Sequence, residues 1–308
     1  MFYDAHFIID VTNWSRGVWL DGTVQIMDQE DILLSDRLVP AYLSEFPDDR
    51  RSANEALASM LGMAKVYDRI LILADEHGLH VDKGEFSTLV VSSGRAAIGS
   101  MMVAMRRSGV ELDVELDVDP FIGEDVSKGP IWGHFVDGLS HDPVIERTRT
   151  PVGGTTRWRP ARTLTHSTRF HVYTKPLGEV AFVSGEVALT EGNIETLEWR
   201  AHAGVTRTES IAGGVQEMFD RLVMGASVMD SLASVAAACG ITLAMAGDSL
   251  IVAYHDGGII GQIAVGAGRG SVELTPGRLD SPDRSDAVDR VWGEFCARVR
   301  EIPDSVIV

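Results

Sequence analysis

Cysteine and lysine are scarce in this chain: two cysteines and four lysines (Lys65, Lys83, Lys128, Lys175) in 308 residues. Cys239 and Cys296 both fall within apolar helical patterns. They read as buried thiols of a reducing compartment, not as a disulfide framework. No run of eighteen apolar residues occurs, so no transmembrane helix and no membrane partner are expected. The opening MFYDAHFIIDVTNW carries Asp4, His6 and Asp10 and lacks both a basic start and a long apolar core, so it does not read as a signal peptide. A cytoplasmic location is the expectation, or the interior of a host cell if the chain is viral. The GxSxG, SxxK, HExxH and CxxC motifs are all missing, which weighs mildly against an enzyme and predicts no cofactor. With 45% hydrophobic and 23% charged residues the composition is that of a globular protein, and the length suggests two domains.

What is abundant is negative charge. The 45 acidic and 27 basic side chains leave a net charge of −18. Such a chain repels polyanions at long range unless its bases are gathered on one face. They are gathered along the sequence. Residues 111–125 (ELDVELDVDPFIGED) hold seven acids and no base, whereas residues 147–178 hold seven bases and no acid. The basic segment admits two readings: a solvated loop paired with nearby acids, or a phosphate-contacting loop with Arg147, Arg149, Arg157, Arg159, Arg162 and Arg169 as donors and Trp158 as a stacker.

Period-two alternation marks strands at His6–Val11 and Val18–Met27, and helical spacing marks Asn54–Val66. Strands are then expected at Arg69–Ala74, Leu79–Asp82 and Phe86–Ser92, with an exposed acidic connector over 109–129. Further strands are expected at Phe170–Thr174, Val180–Ser184 and Glu186–Leu189. Two helices follow. The first is marked by Val215, Met218, Phe219, Leu222 and Val223; the second is capped by Ser227 and closed by Gly240. Three more strands (Ile241–Ala246, Leu250–Tyr254, Ile259–Val265) precede a terminal amphipathic helix, Ala287–Arg300. The segments 54–92 and 228–265 share one order of elements without similar residues, an architectural repeat. Antiparallel strands with helices on one face make an α+β fold.

Three clusters suggest chemistry. Asp75-Glu76-His77-Gly78-Leu79-His80 resembles a metal cluster but has no matching downstream ligands and reads better as a turn. Gly266-Ala267-Gly268-Arg269-Gly270 has the glycines of a phosphate cradle without the Lys-Ser/Thr of a P-loop. Asp10, Asp21 and Asp28 are either acids on exposed strand faces or the carboxylates of a metal-dependent nuclease.

Three passages together resemble the sliding-clamp superfamily of proliferating-cell nuclear antigen, checkpoint clamps and viral processivity factors: residues 57–91, GEVAFVSGEVALTEGNIETL (178–197) and ITLAMAGDSLIVAYHDGGIIGQIAVGAG (241–268). Residues 112–125 resemble the acidic connector between clamp domains. The resemblance implies antiparallel sheets with helices on one face in two clamp-like domains. These would be 1–110 and 130–276, joined by the connector 111–129, with an Arg-rich insertion at 144–169 and a tail at 277–308. It implies a non-catalytic ring oligomer that encircles duplex DNA without sequence preference and tethers a DNA polymerase or another clamp-binding peptide. DNA would meet Lys65, Arg69, Arg106, Arg107 and the arginines of the basic segment. The peptide would meet Val118, Pro120, Phe121 and Ile122 with Ala264 and Gly266. The alternatives are a viral capsid or tail assembly protein, and the nuclease of Asp10, Asp21 and Asp28.

Overall fold

The computed structural model describes residues 2–14, 17–38, 43–44, 51–84, 88–108, 111–120, 129–146, 149–151, 164–191, 194–207, 211–268, 270–279 and 285–307. An antiparallel meander opens the chain: β1 (Asp4–Trp14), β2 (Gly17–Asp28) and β3 (Asp31–Leu38), with the short β4 (Leu43–Ser44) also on β2. The helix α1 (Arg51–Glu76) follows, then β5 (His80–Lys83), β6 (Thr88–Ser93), β7 (Ala96–Ser108) and β8 (Glu111–Pro120). The helices α2 (Gly129–Ser140) and α3 (Pro143–Glu146) lead to β9 (Arg149–Pro151). The order then repeats. A second meander, β10 (Ser167–Leu177), β11 (Val180–Glu191) and β12 (Ile194–Arg207), precedes α4 (Ile211–Ala238). After it come β13 (Thr242–Gly247), β14 (Leu250–His255), β15 (Gly258–Ala267) and β16 (Val272–Arg278), then α5 (Asp286–Val299) and β17 (Ser305–Ile307). The class is α+β, as the alternation predicts.

Three sheets result. The central one runs β12-β11-β10-β1-β2-β3, and each half adds its own five-stranded sheet, β5 to β9 and β13 to β17. Each meander buries one face. Phe7, Ile9 and Val11 alternate inward from β1, Phe170 and Val172 from β10, and Val183, Val187 and Leu189 from β11. The long helices cover that inner face, α1 across β2 and α4 across β10 to β12. Burying each such side chain contributes about 1.5–3 kcal/mol, which is why the strands keep period two over most of their length.

The two halves are copies. The β1–β10 pairing sets Phe7 opposite Val172, Ile8 opposite His171 and Ile9 opposite Phe170. Laid over the second half, the first places Phe7 on Phe170, Ile8 on His171 and Ile9 on Val172. The register is therefore self-complementary, and an internal two-fold axis passes between Ile8 and His171. The same irregularity recurs in both meanders, between Ile26 and Met27 and between Leu189 and Thr190. Among the described residues, β1–β10 is the one strand pairing that joins the halves.

Matching side chains do matching work. Asp68 on α1 and Asp230 at the corresponding place on α4 are both buried. Asp68 accepts the backbone N–H groups of Phe2 and Tyr3 at 2.6 and 2.7 Å. Asp230 accepts those of Thr165 and His166, each at 2.9 Å. Each aspartate so fixes the entry of its half's first strand. Both helices end on a glycine in the left-handed region, Gly78 (φ +64°) and Gly240 (φ +67°). The following amides, of Leu79 and Ile241, reach back to Ala74 and Ala236. Trp132-Gly133-His134-Phe135 on α2 is matched by Trp292-Gly293-Glu294-Phe295 on α5. Each tryptophan lies on a bare glycine of the neighbouring strand, Trp132 on Gly99 and Trp292 on Gly261; a Cβ at either glycine would fall 2.5 Å from the ring.

The halves also diverge. Asp36 on β3 is buried, takes a hydrogen bond from the Tyr67 hydroxyl at 2.5 Å and meets the Lys83 ammonium at 3.1 Å. Burial and the Asp36 carboxylate push the Tyr67 hydroxyl far up. The matching residues of the second half are Trp199, Met229 and Met245. A polar cluster therefore stands where its counterpart is apolar, with Trp199 packed on Gly225.

Several expectations are corrected. Arg69–Ala74 is not a strand: α1 runs unbroken through it because Ile70, Leu71, Leu73 and Ala74 extend the buried stripe of Leu57, Met60 and Ala64. Ser227 caps nothing, since α4 is one helix through it. Residues 111–120, expected as a connector, form β8 between β7 and β9, because the apolar residues alternating with its acids make a strand pattern. The terminal helix is found, capped by Ser285, whose side chain accepts from the Val288 amide. By length and composition α4 could cross a bilayer, but more than half of its apolar window is buried as the core of the second half.

Candidate interaction face

The helices cover one face of the central sheet, and among the described side chains the alternate residues of β1, β2, β10 and β11 form its other face. At the two-fold axis sit His6 from β1 and His171 and Tyr173 from β10. His6 Nε2 lies 3.0 Å from His171 Nδ1, and His6 Nδ1 lies 3.1 Å from Gln25 Oε1 on β2. The His6 ring stacks on Tyr173 at 4.1 Å between centroids. The Tyr173 hydroxyl also lies 3.2 Å from His171 Nδ1. Burial pulls the His6 imidazole down to about 4, assisted by the neighbouring His171, and pulls His171 down as well. Burial next to Glu186 pushes the Tyr173 hydroxyl up to about 12.

Ion pairs flank this centre. Arg169 Nε binds Asp10 at 2.6 Å across the β1–β10 pairing, and its Nη1 lies 3.5 Å from Glu195 on β12. Arg37 Nε bridges both oxygens of Asp21 at 2.9 Å. Arg200 meets Glu186 at 3.2 Å and Asp248 at 3.0 Å.

Toward the β10–β11 hairpin the face gathers apolar side chains, with Lys175 opposite Phe182 and Arg207 opposite Val180. Leu177, Val180, Phe182 and Val205 are exposed, with Tyr173 beside them. Phe182 stands directly opposite Val205. Next to Val205 a cleft of about 370 Å³ opens between β12 and the start of α4, walled by Val183, Met218 and the Glu217–Arg221 pair. In the first half, Trp14 and Trp19 hold the register positions that Leu177 and Phe182 hold in the second.

The residues expected at a DNA surface lie on α1, β7, β9 and β10, and the register sets Arg106 and Arg149 on either side of Asp113. Lys65 and Arg69 lie on the buried helix α1; Lys65 is half-buried and Arg69 binds the buried Asp142 at 2.5 Å. Arg106 and Arg107 fall on β7, Arg149 on β9 and Arg169 in the ion pair above. Arg147, Arg157, Trp158, Arg159 and Arg162 lie outside the described residues. For the peptide site, Val118 and Pro120 fall on β8 while Ala264 and Gly266 fall on β15, in different sheets of opposite halves; Phe121 and Ile122 lie outside the described residues. The Gly266 carbonyl accepts from the Trp199 indole at 3.3 Å.

The nuclease carboxylates do not converge either. Asp10 and Asp21 are cross-strand partners, each held by an arginine. Asp28 stands at the far end of β2, roughly 23 Å away at strand rise. Among the described residues, no three His, Cys, Asp or Glu side chains form a group that would hold a metal, the His77–His80 cluster included.

What sequence reading missed is the His6–His171–Tyr173 centre, whose members come from opposite halves of the chain. The Trp-Gly-x-Phe of residues 132–135, repeated at 292–295, is the signal that would have exposed the duplication and hence the axis. Comparison of the chain with protein-family models, curated proteins and solved structures gives no match.

Proposed function

We propose that this is a non-catalytic assembly protein whose copies associate through the open face of the central sheet. The observation that carries this reading is the exposed apolar cluster Leu177, Val180, Phe182 and Val205, on a face that no described element of its own chain covers. Exposed apolar side chains grouped in this way, here rimmed by Lys175 opposite Phe182 and Arg207 opposite Val180, mark contact with another protein. Matching hairpins lie at opposite ends of the sheet, since the axis runs normal to antiparallel strands. Association of copies through one face of this kind suits a repeated subunit. The location that goes with this reading is cytoplasmic, or a host cell interior for a viral chain.

A DNA clamp would present free bases on its long helices. Here α1 and α4 are core helices, with Arg69 held by Asp142 and Arg221 by Glu217. A nuclease would need its carboxylates together.

Light scattering on a sizing column over a wide concentration range tests the proposal. Mass should rise with concentration, and Phe182→Glu should hold the chain at the mass of one copy. A wild-type chain that stays monomeric throughout overturns it. So does retention on circular duplex DNA that is lost on linearisation, which would favour the clamp.

A further inference from the structure

Among the described residues the seam between the halves is one strand pairing, and its outer side carries a direct contact between two imidazoles. His6 belongs to the first half and His171 to the second, so their 3.0 Å contact spans the joint. Both are needed in the neutral state. The His6 Nδ1–H donates to Gln25 Oε1, which leaves Nε2 to accept from His171 Nδ1–H. A proton added to His6 sets its Nε2–H against the Nδ1–H of His171 unless His171 moves its own proton to Nε2. A proton added to His171 would go to Nε2, a buried atom with no hydrogen-bond partner. Every protonated form of the pair therefore leaves an N–H group opposed or unpartnered on the outer side of the seam.

The surrounding charges do not compensate. Glu186 on β11, 4.0 Å from His171, and Glu195 on β12 favour its charged form, but burial, with Arg169 beside it, outweighs them. On β1 and β10, Asp10 is engaged by Arg169, and Asp4 is countered by Lys175. Tyr173 remains neutral, and β2 contributes the uncharged Gln25.

We propose that the His6–His171 contact makes the β1–β10 seam an acid-operated joint: proton uptake by the pair loosens one half of the molecule from the other. The inference is independent of self-association, and a strictly monomeric chain tests it equally well. Each half keeps its own helices, its own meander and its own smaller sheet, so the β1–β10 ladder is where the two can part.

Amide hydrogen exchange on the full chain, corrected for the intrinsic pH dependence of exchange, reads the joint directly. Between pH 7 and pH 4.5 the amides of β1 and β10 should lose protection on the order of a hundredfold, while those of β14 and β15 hold theirs. The double substitution His6→Asn with His171→Asn, which keeps polar contacts but takes up no proton in this range, should abolish the pH dependence at the seam. The single His6→Gln should weaken it, which provides a second reading should the double variant fold poorly. Equal loss of protection in β1, β10, β14 and β15 overturns the proposal, as does an undiminished pH dependence in the variants.

Discussion

Asp68 and Asp230 show how much one side chain can fix. Each stands on a buried helix and ties down the chain where a meander begins, through two backbone N–H groups in each half. Truncation to alanine leaves those donors without an acceptor, which costs about 2 kcal/mol at either site, read as a lower urea midpoint. At position 68 the Asn variant should cost much less. It keeps an acceptor oxygen and removes a charge that burial already disfavours, as the raised Asp68 carboxyl shows. Equal losses for Ala and Asn would mean that the charge itself, not the acceptor, holds the strand. Neither aspartate advertises this role in the sequence, because its partners lie 64 to 66 residues away.

At the scale of elements, the glycine–tryptophan contacts lock the short helices onto their sheets. Gly99→Ala and Gly261→Ala each place a methyl 2.5 Å from a buried indole. Overpacking of this kind costs about 1–3 kcal/mol, measurable as a drop in melting temperature, and the two effects should be alike because the sites are copies. This is also where legibility in the sequence divides. The strands β13 to β15 are readable because tight turns punctuate them, and the helix α5 because Val288, Val291, Trp292, Phe295 and Val299 fall at helical spacing. The stretch Arg69–Ala74 is not, since a short apolar run fits a strand or a buried helix equally well. Strand β8 reads as a connector because its acids mask the leucines and valines between them. Of the candidate face, Asp10, Asp21 and Arg169 stand out in the sequence, but their pairing does not. The β1–β10 register joins the beginning of the chain to its middle, and no local pattern reports it.

For the whole molecule, two predictions concern solution behaviour. His6 and His171 have folded-state values below those of free imidazole. The unfolded chain therefore binds more protons than the folded one below about pH 6.5. Stability contributed by the neutral pair is complete above that point and is lost as pH falls toward about 4, so the urea midpoint should decline across this window. The double asparagine variant should flatten that decline. Growth in mass with protein concentration should survive added salt, because the patch around Phe182 is apolar and Arg200, on the same face, is already paired within the chain. Loss of association on adding salt would point instead to charge as the adhesive. Fusion of two copies in one chain has a last consequence. In a dimer of separate chains every substitution is made twice, and the two sides stay identical. Here position 36 has become an aspartate facing a tyrosine and a lysine, while its counterpart at 199 is a tryptophan. The molecule has thereby acquired a head and a tail, and anything built from it by repetition can have a direction.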